Sequence, residues 1–173
     1  MPKPIFTEIQ SKKLKKLGIL NTLDLLLHLP LRYEDKTKIN LIKDIRPGSM
    51  FQIEAKIISI EVTYRPRKNL IIHVSDKSGD LKLRFLHFYS SQVKQFDEGK
   101  ILRVYGEIKS NAFLFEMIHP QYEFVSLDTP LKNFYSPVYP LTEGLSQKTI
   151  FKLVQKVFEK EDFINQHSDY FED

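Results

Sequence analysis

The ten residues LRFLHFYSSQ, at 83–92, gather the side chains best suited to holding a flat aromatic ligand. Phe85, Phe88 and Tyr89 offer π-faces, His87 adds a polar ring, and Arg84 adds a fixed cation. A second cluster, Arg65, Arg67 and Lys68 in RPRKN, is purely cationic. Rings flanked by cations are how single-stranded nucleic acid is held. Bases stack on the rings, at ~1–3 kcal/mol per stack, while the cations follow the phosphates. A plainer use competes. Phe85 shares its strand parity with Leu81 and Leu83, so it reads first as core. Phe88 stands open between plugging the end of a β-structure and stacking on a base. Leu86 and Tyr89 are the better candidates for exposure.

Other chemistries lack their residues. A phosphate-cradling loop needs a glycine-rich run ending in Gly-Lys-Ser/Thr. Here Gly99-Lys100 is followed by Ile101, and position 94 is Lys. His28, His73, His87, His119 and His167 show no metal-ligand spacing, and no cysteine is present to supply thiolates or disulfides. Glu34-Asp35 reads as a surface pair on a loop. No catalytic residue and no metal site is therefore expected, and a binding module is favoured over an autonomous enzyme. No window approaches the roughly 20 apolar residues of a membrane span, and the N-terminus lacks the apolar core of a signal peptide. The absence of cysteine fits a cytoplasmic location. Residues 1–48 carry ten Lys/Arg against five Asp/Glu, and residues 126–173 carry five against eight. The basic excess thus sits towards the N-terminus, a bias compatible with a polyanionic partner.

These side chains need a scaffold, and the hydrophobic period supplies one. Residues 8–28 have leucines at helical spacing, broken at Gly18, restarted at Asn21 or Thr22 and ended by Pro30. Residues 31–49 read as polar connecting chain. The period then becomes two. Phe51, Ile53, Ala55 and Ile57 share one face, while Ile58, Ile60, Val62 and Tyr64 take the other parity. Such a phase slip predicts a bulge or bend within one long strand. Further strands are expected at 70–76, 80–88, 100–110 and 112–120, with a short helix within 90–99. Three strands, a helix and two strands is the order of an OB-fold, the five-stranded Greek-key barrel that binds oligonucleotides. After it, Ser146 is placed to cap a helix with Ile150, Leu153, Val154 and Val157 as its apolar stripe. The expected organisation is an N-terminal helical segment and connector at 1–48, a barrel at 49–125, and a linker with an amphipathic helix at 126–173. The fold class is α+β. The alternative is an OB-fold protein-interaction module without intrinsic DNA specificity, since such barrels also bind peptides and the stripe could dock a partner protein.

Four phrases narrow the choice: LGILNTLDLLLHLPLRYEDKTKI, VSDKSGDLKLRFLHF, YGEIKSNAFLFEMIHPQYE and PVYPLTEGLSQKTIFKLV. In order and wording they resemble the N-terminal region of the RecG family of bacterial ATP-dependent DNA helicases, from about Leu14 to Val157. The resemblance implies that the barrel is a wedge inserted at a DNA fork. The chain would be that wedge region without its motor, which would follow it and bring ATP and Mg²⁺. It implies branched DNA as partner, both forks and Holliday junctions, with the chain's own C-terminal helicase domains as a second partner and fork regression as the activity. The stripe of the last helix is then expected to pack on that motor or back on the barrel. The family's wedge loop carries a Phe and, four positions on, a Tyr that stack at the fork. Those positions fall on Leu86 and Ser90, so the stacking role is assigned to Phe88 or Tyr89, with His87 adding a stack or a phosphate contact. Relatives also carry a Gly-Val-Gly hairpin before the first basic helix. FTEIQSKKLKKLGI has none, and residues 8–29 are read as structural packing. The expected DNA-binding set is Arg65, Arg67, Lys68, Arg84, Leu86, His87, Phe88 and Tyr89.

Overall fold

The computed structural model describes residues 6–65, 67–111, 114–126 and 128–159. Two compact units divide them. Residues up to Glu34 and from Tyr135 onward form one, and Asp35–Phe134 form the other, within which the expected barrel at 49–125 lies.

The second unit is built from β2 (Met50–Thr63), β3 (Asn69–Asp76), β4 (Gly79–Phe85), β5 (Ile101–Asn111), β6 (Leu114–Ile118) and β7 (Gln121–Val125). Neighbours run β2-β3-β4-β6-β5-β7, and a further β2–β5 pairing closes the first five into a barrel. Among the described strands, only β4 and β6 pair in parallel. This is the OB-fold order, and the bent first strand makes closure possible. Met50–Lys56 pairs with β5, while Lys56–Thr63 pairs with β3. The register shifts between Ile57 and Ser59, where the phase slip lies, and Ile58 is left about half exposed. Alternation then fills the interior. Ile53, Ala55, Ile57, Leu70, Ile72, Val74, Leu81, Leu83, Leu102, Val104, Ile108 and Met117 are all buried in one cluster.

The expected short helix falls at α3 (Ser90–Val93), a single turn. Two local expectations need correction. The third strand stops at Phe85, because the chain leaves the sheet at Leu86. A sixth strand, β7, lies against the outer flank of β5, its Tyr122 and Phe124 packing their rings on Phe96.

Asp76 closes the β3–β4 turn at the opposite end of the barrel from Phe85. Burial alone would raise its carboxyl. Hydrogen bonds donated by Ser78 Oγ at 2.6 Å and by the N–H groups of Ile42 (2.9 Å), Ser78 (2.6 Å) and Gly79 (3.0 Å) outweigh it. The carboxyl is held below its ordinary value. A depressed folded-state value contributes stability above the unfolded value of about 3.9, lost as pH falls through the folded one. Asp76→Asn is therefore expected to be less stable at pH 7 and to lose less on acidification. Urea unfolding of both proteins at pH 7 and pH 3 checks this.

The first unit contains α1 (Glu8–Lys15), α2 (Thr22–Leu26), β1 (Arg32–Glu34), β8 (Ser136–Val138) and α4 (Gln147–Phe158). Thr7 and Asn21 cap the first two helices through reciprocal boxes with Gln10 and Asp24. Gly18 ends the first turn region at φ +76°, a conformation that costs glycine little. Ser146 accepts the N–H of Thr149 and caps α4. The α4 stripe is spent inside this unit rather than on a barrel or a motor. Ile150, Leu153 and Val157 are buried with Leu14, Ile19, Leu25, Tyr139 and Leu145. That burial takes the stripe away as a docking face for a partner protein. The stretch 31–49 is not all connecting chain, since β1 pairs antiparallel with β8 and buries Glu34 beside Arg32. Glu34 is thus a strand residue, not a surface one. No helix among the described residues is long and apolar enough to cross a membrane.

Candidate nucleic-acid interface

Strand register decides which side chains meet. Leu70 on β3 faces Val62 on β2 and Phe85 on β4. The β2–β3 loop, with Arg65, Arg67 and Lys68, and the chain leaving β4 at Leu86 therefore sit at the same end of the barrel.

At that end the rings divide by depth. Phe85 is 3% exposed and plugs the barrel, its ring 5.7 Å from Tyr122 and 6.1 Å from Phe96. Phe88 is half-buried and packs on the rim of the same core. Its remaining face lies beneath a cation, with Lys68 Nζ 4.7 Å from the ring centroid. Tyr89 is 81% exposed and Leu86 is 41% exposed. Lys68, Leu86, His87, Phe88 and Tyr89 together line one open groove. Phe88 thus packs one face on the core rim and presents the other to the groove.

The remaining cations differ. Arg65 and Arg67 are exposed. Arg84 is not free, because its Nη2 lies 2.8 Å from the buried carboxylate of Glu116 on β6. Its Nε is buried without a hydrogen-bond partner. Arg84 thus braces the parallel β4–β6 pair from behind the groove.

His119 joins this site although nothing in the sequence singled it out. It is the one non-glycine residue at positive φ (48°) among those described. Its N–H donates to Arg84 O at 2.8 Å, and its Nε2 lies 3.1 Å from the N–H of Leu86. A backbone N–H only donates, so Nε2 accepts and the ring proton sits on Nδ1. The ring also stacks on His87 at 5.9 Å with a 17° interplanar angle. His119 thus clips the chain where it leaves the sheet and fixes how the tip emerges.

A second cleft lies on the outer face of β5 and β7, lined by Lys36, Tyr105, Tyr122 and Lys132. Its central cation, Arg103, is only 6% exposed. It is consumed by Glu54 at 2.6 Å, Glu123 at 3.1 Å, and the carbonyls of Thr129 (2.9 Å) and Pro130 (3.1 Å). That cleft is a structural clamp, and the groove at the barrel end is the open site.

Comparison with known proteins follows the same lines. Residues 6–160 match the family model described as the RecG wedge domain. The ATP-dependent DNA helicase RecG of Haemophilus influenzae is 38% identical over 148 residues, covering 84% of this chain and 21% of that protein. The enzyme of the same name from Escherichia coli K12 is 37% identical over 151 residues, covering 86% and 22%. This chain therefore spans about a fifth of the length of the curated relatives it matches. A solved structure of RecG bound to a three-way DNA junction aligns over 90% of this chain and 21% of its own, with a TM-score of 0.67 and 33% identity.

Proposed function

Because this chain belongs to the RecG wedge domain family, we propose that it is the DNA-splitting region of an ATP-dependent helicase that acts on branched DNA. The groove at the barrel end meets the junction. Tyr89 and the open face of Phe88 stack on the bases freed there, and Leu86 wedges beside them. His87 adds a stack or a phosphate contact, while Arg65, Arg67 and Lys68 hold the phosphates. Arg84 acts indirectly, by keeping β4 seated on β6. The observation that carries this reading is the exposed Tyr89 next to a phenyl ring capped by Lys68, on the barrel end that also bears the basic loop.

The energetics are balanced. Unstacking a base-pair step costs about 1.4 kcal/mol on average. An aromatic face returns ~1–3 kcal/mol per base. A ring at the fork therefore offsets the opening of one pair without any covalent chemistry. Motion must come from elsewhere. ATP and Mg²⁺ are assigned to the remainder of the full-length protein, because no group of the described residues fits them. Gly99-Lys100 sits in the turn before β5, with Lys100 paired to Asp97 at 2.5 Å, and offers no cradle for a phosphate. Driven by such a motor, the wedge would split both arms of a stalled fork and let parental strands re-anneal. Fork regression and Holliday-junction processing are the reactions this reading assigns to the full-length protein.

The test is fluorescence anisotropy of this chain with a three-way fork, a linear duplex and a single strand at matched salt. Tighter binding to the fork is expected. Equal, weak binding to all three would take junction recognition away from this chain.

A further inference from the structure

We propose a second DNA contact, on the first unit, formed by the lysine row of α4 and directed at the phosphate backbone of a duplex arm. It rests on the reading of the chain as a DNA-binding wedge region but uses different residues. At 100° per residue, Lys148, Lys152 and Lys156 step about 40° round α4 in turn, a slanted row on its exposed side away from the buried Ile150 and Val157. All three are exposed, and none has a carboxylate within ion-pair distance among the described residues. Gln155 and the C-cap Glu159 complete that face.

Two local rules of helix electrostatics are broken there. Like charges four residues apart repel along a helix surface, and this row places two such pairs in succession. Lys148 also sits in the first turn, just after the Ser146 cap, where the helix dipole disfavours a cation. Breaches of local preference are typical of functional sites. A polyanion removes both penalties at once. The spacing suits duplex DNA. Four residues rise about 6 Å along a helix, so the row spans about 12 Å. Phosphates of one strand are about 3.4 Å apart along the duplex axis, so each lysine can reach a different one. Contacts of this kind carry no sequence information and strengthen binding to any duplex arm.

The experiment compares this chain with the triple variant Lys148→Gln, Lys152→Gln, Lys156→Gln. Lysine and glutamine have similar helix propensity, so the fold is kept. A control variant, Lys43→Gln, Lys56→Gln, Lys77→Gln, makes the same change of net charge at the barrel end remote from the groove. Binding to a linear duplex is measured across a salt series. The row variant is expected to bind with a log–log salt slope shallower by about 2–3, at about 0.9 for each phosphate it no longer neutralises. Its melting temperature should hold or rise, since repulsion has been removed. The control should keep the original slope. An unchanged slope in the row variant, or an equal loss in the control, would overturn the proposal. The ratio of fork to duplex affinity separates this from the reading it rests on. That ratio depends on the barrel-end groove and should survive in the row variant. If the unmodified chain itself shows no fork preference, the groove reading fails, while the salt slope still reports on the row.

Discussion

Tyr89→Ala is expected to weaken binding of this chain to a three-way DNA fork by about 1–3 kcal/mol, roughly 5- to 150-fold, without lowering its melting temperature. The side chain is 81% exposed and contributes nothing to the barrel core. Whatever it contributes must therefore be made to a ligand. Phe88→Ala should behave differently. One face of that ring packs on the core rim and the other meets Lys68, so the variant should lose both fork affinity and some stability. The contrast separates the two roles. Anisotropy with a labelled fork, alongside thermal unfolding by circular dichroism, measures it. Should Tyr89→Ala bind forks as tightly as the unmodified chain, the stacking assignment at the barrel end is wrong.

Arg103→Met should cause the larger loss of stability, about 3 kcal/mol, which lowers the barrel's melting temperature by roughly 10–20 °C. Removing the buried guanidinium leaves the groups around it without their partner. Here these are the Glu54 and Glu123 carboxylates and the carbonyls of Thr129 and Pro130. Glu123 is partly solvated and will suffer least. The single guanidinium ties β2, β5, β7 and the chain after β7 together, so no other residue can replace it. A loss under about 1 kcal/mol would show that water satisfies these groups once the arginine is gone. DNA binding by the folded variant should be unaffected, because the groove lies at another part of the barrel.

Legibility in the sequence followed the range of the interaction. The β2 bulge could be read from the parity change at Ile57–Ile58, because period two is a local signal. The α4 start could be read from Ser146, because a cap bonds only three residues on. The strand order was legible for the same reason. What failed depended on partners far away along the chain. β1 has three residues, and its partner Ser136–Val138 contains Pro137 and shows no alternation. Nothing local could announce that pairing, or the burial of Glu34 that follows from it. Arg103 looks like any charged residue until Glu54, Thr129 and Pro130 are brought around it. In the groove, Phe85 followed its parity into the core, and Leu86 and Tyr89 emerged. Arg84 read as a free cation because Glu116, its partner, lies across a parallel pair. His119 was invisible as a clip, since the role needs an unusual backbone angle and a strand end 33 residues earlier.

The β1–β8 ribbon has a mechanical consequence. The chain passes from the first unit to the barrel after Glu34 and returns before Ser136, and those two residues are cross-strand neighbours. Asp35–Phe134 is therefore an insertion whose two ends leave the first unit side by side. Tension on those ends falls first on the rung between Glu34 and Ser136, and then peels Tyr33–Pro137 and Arg32–Val138 in turn. The ribbon is loaded one rung at a time, as a zip is, rather than along its whole length at once.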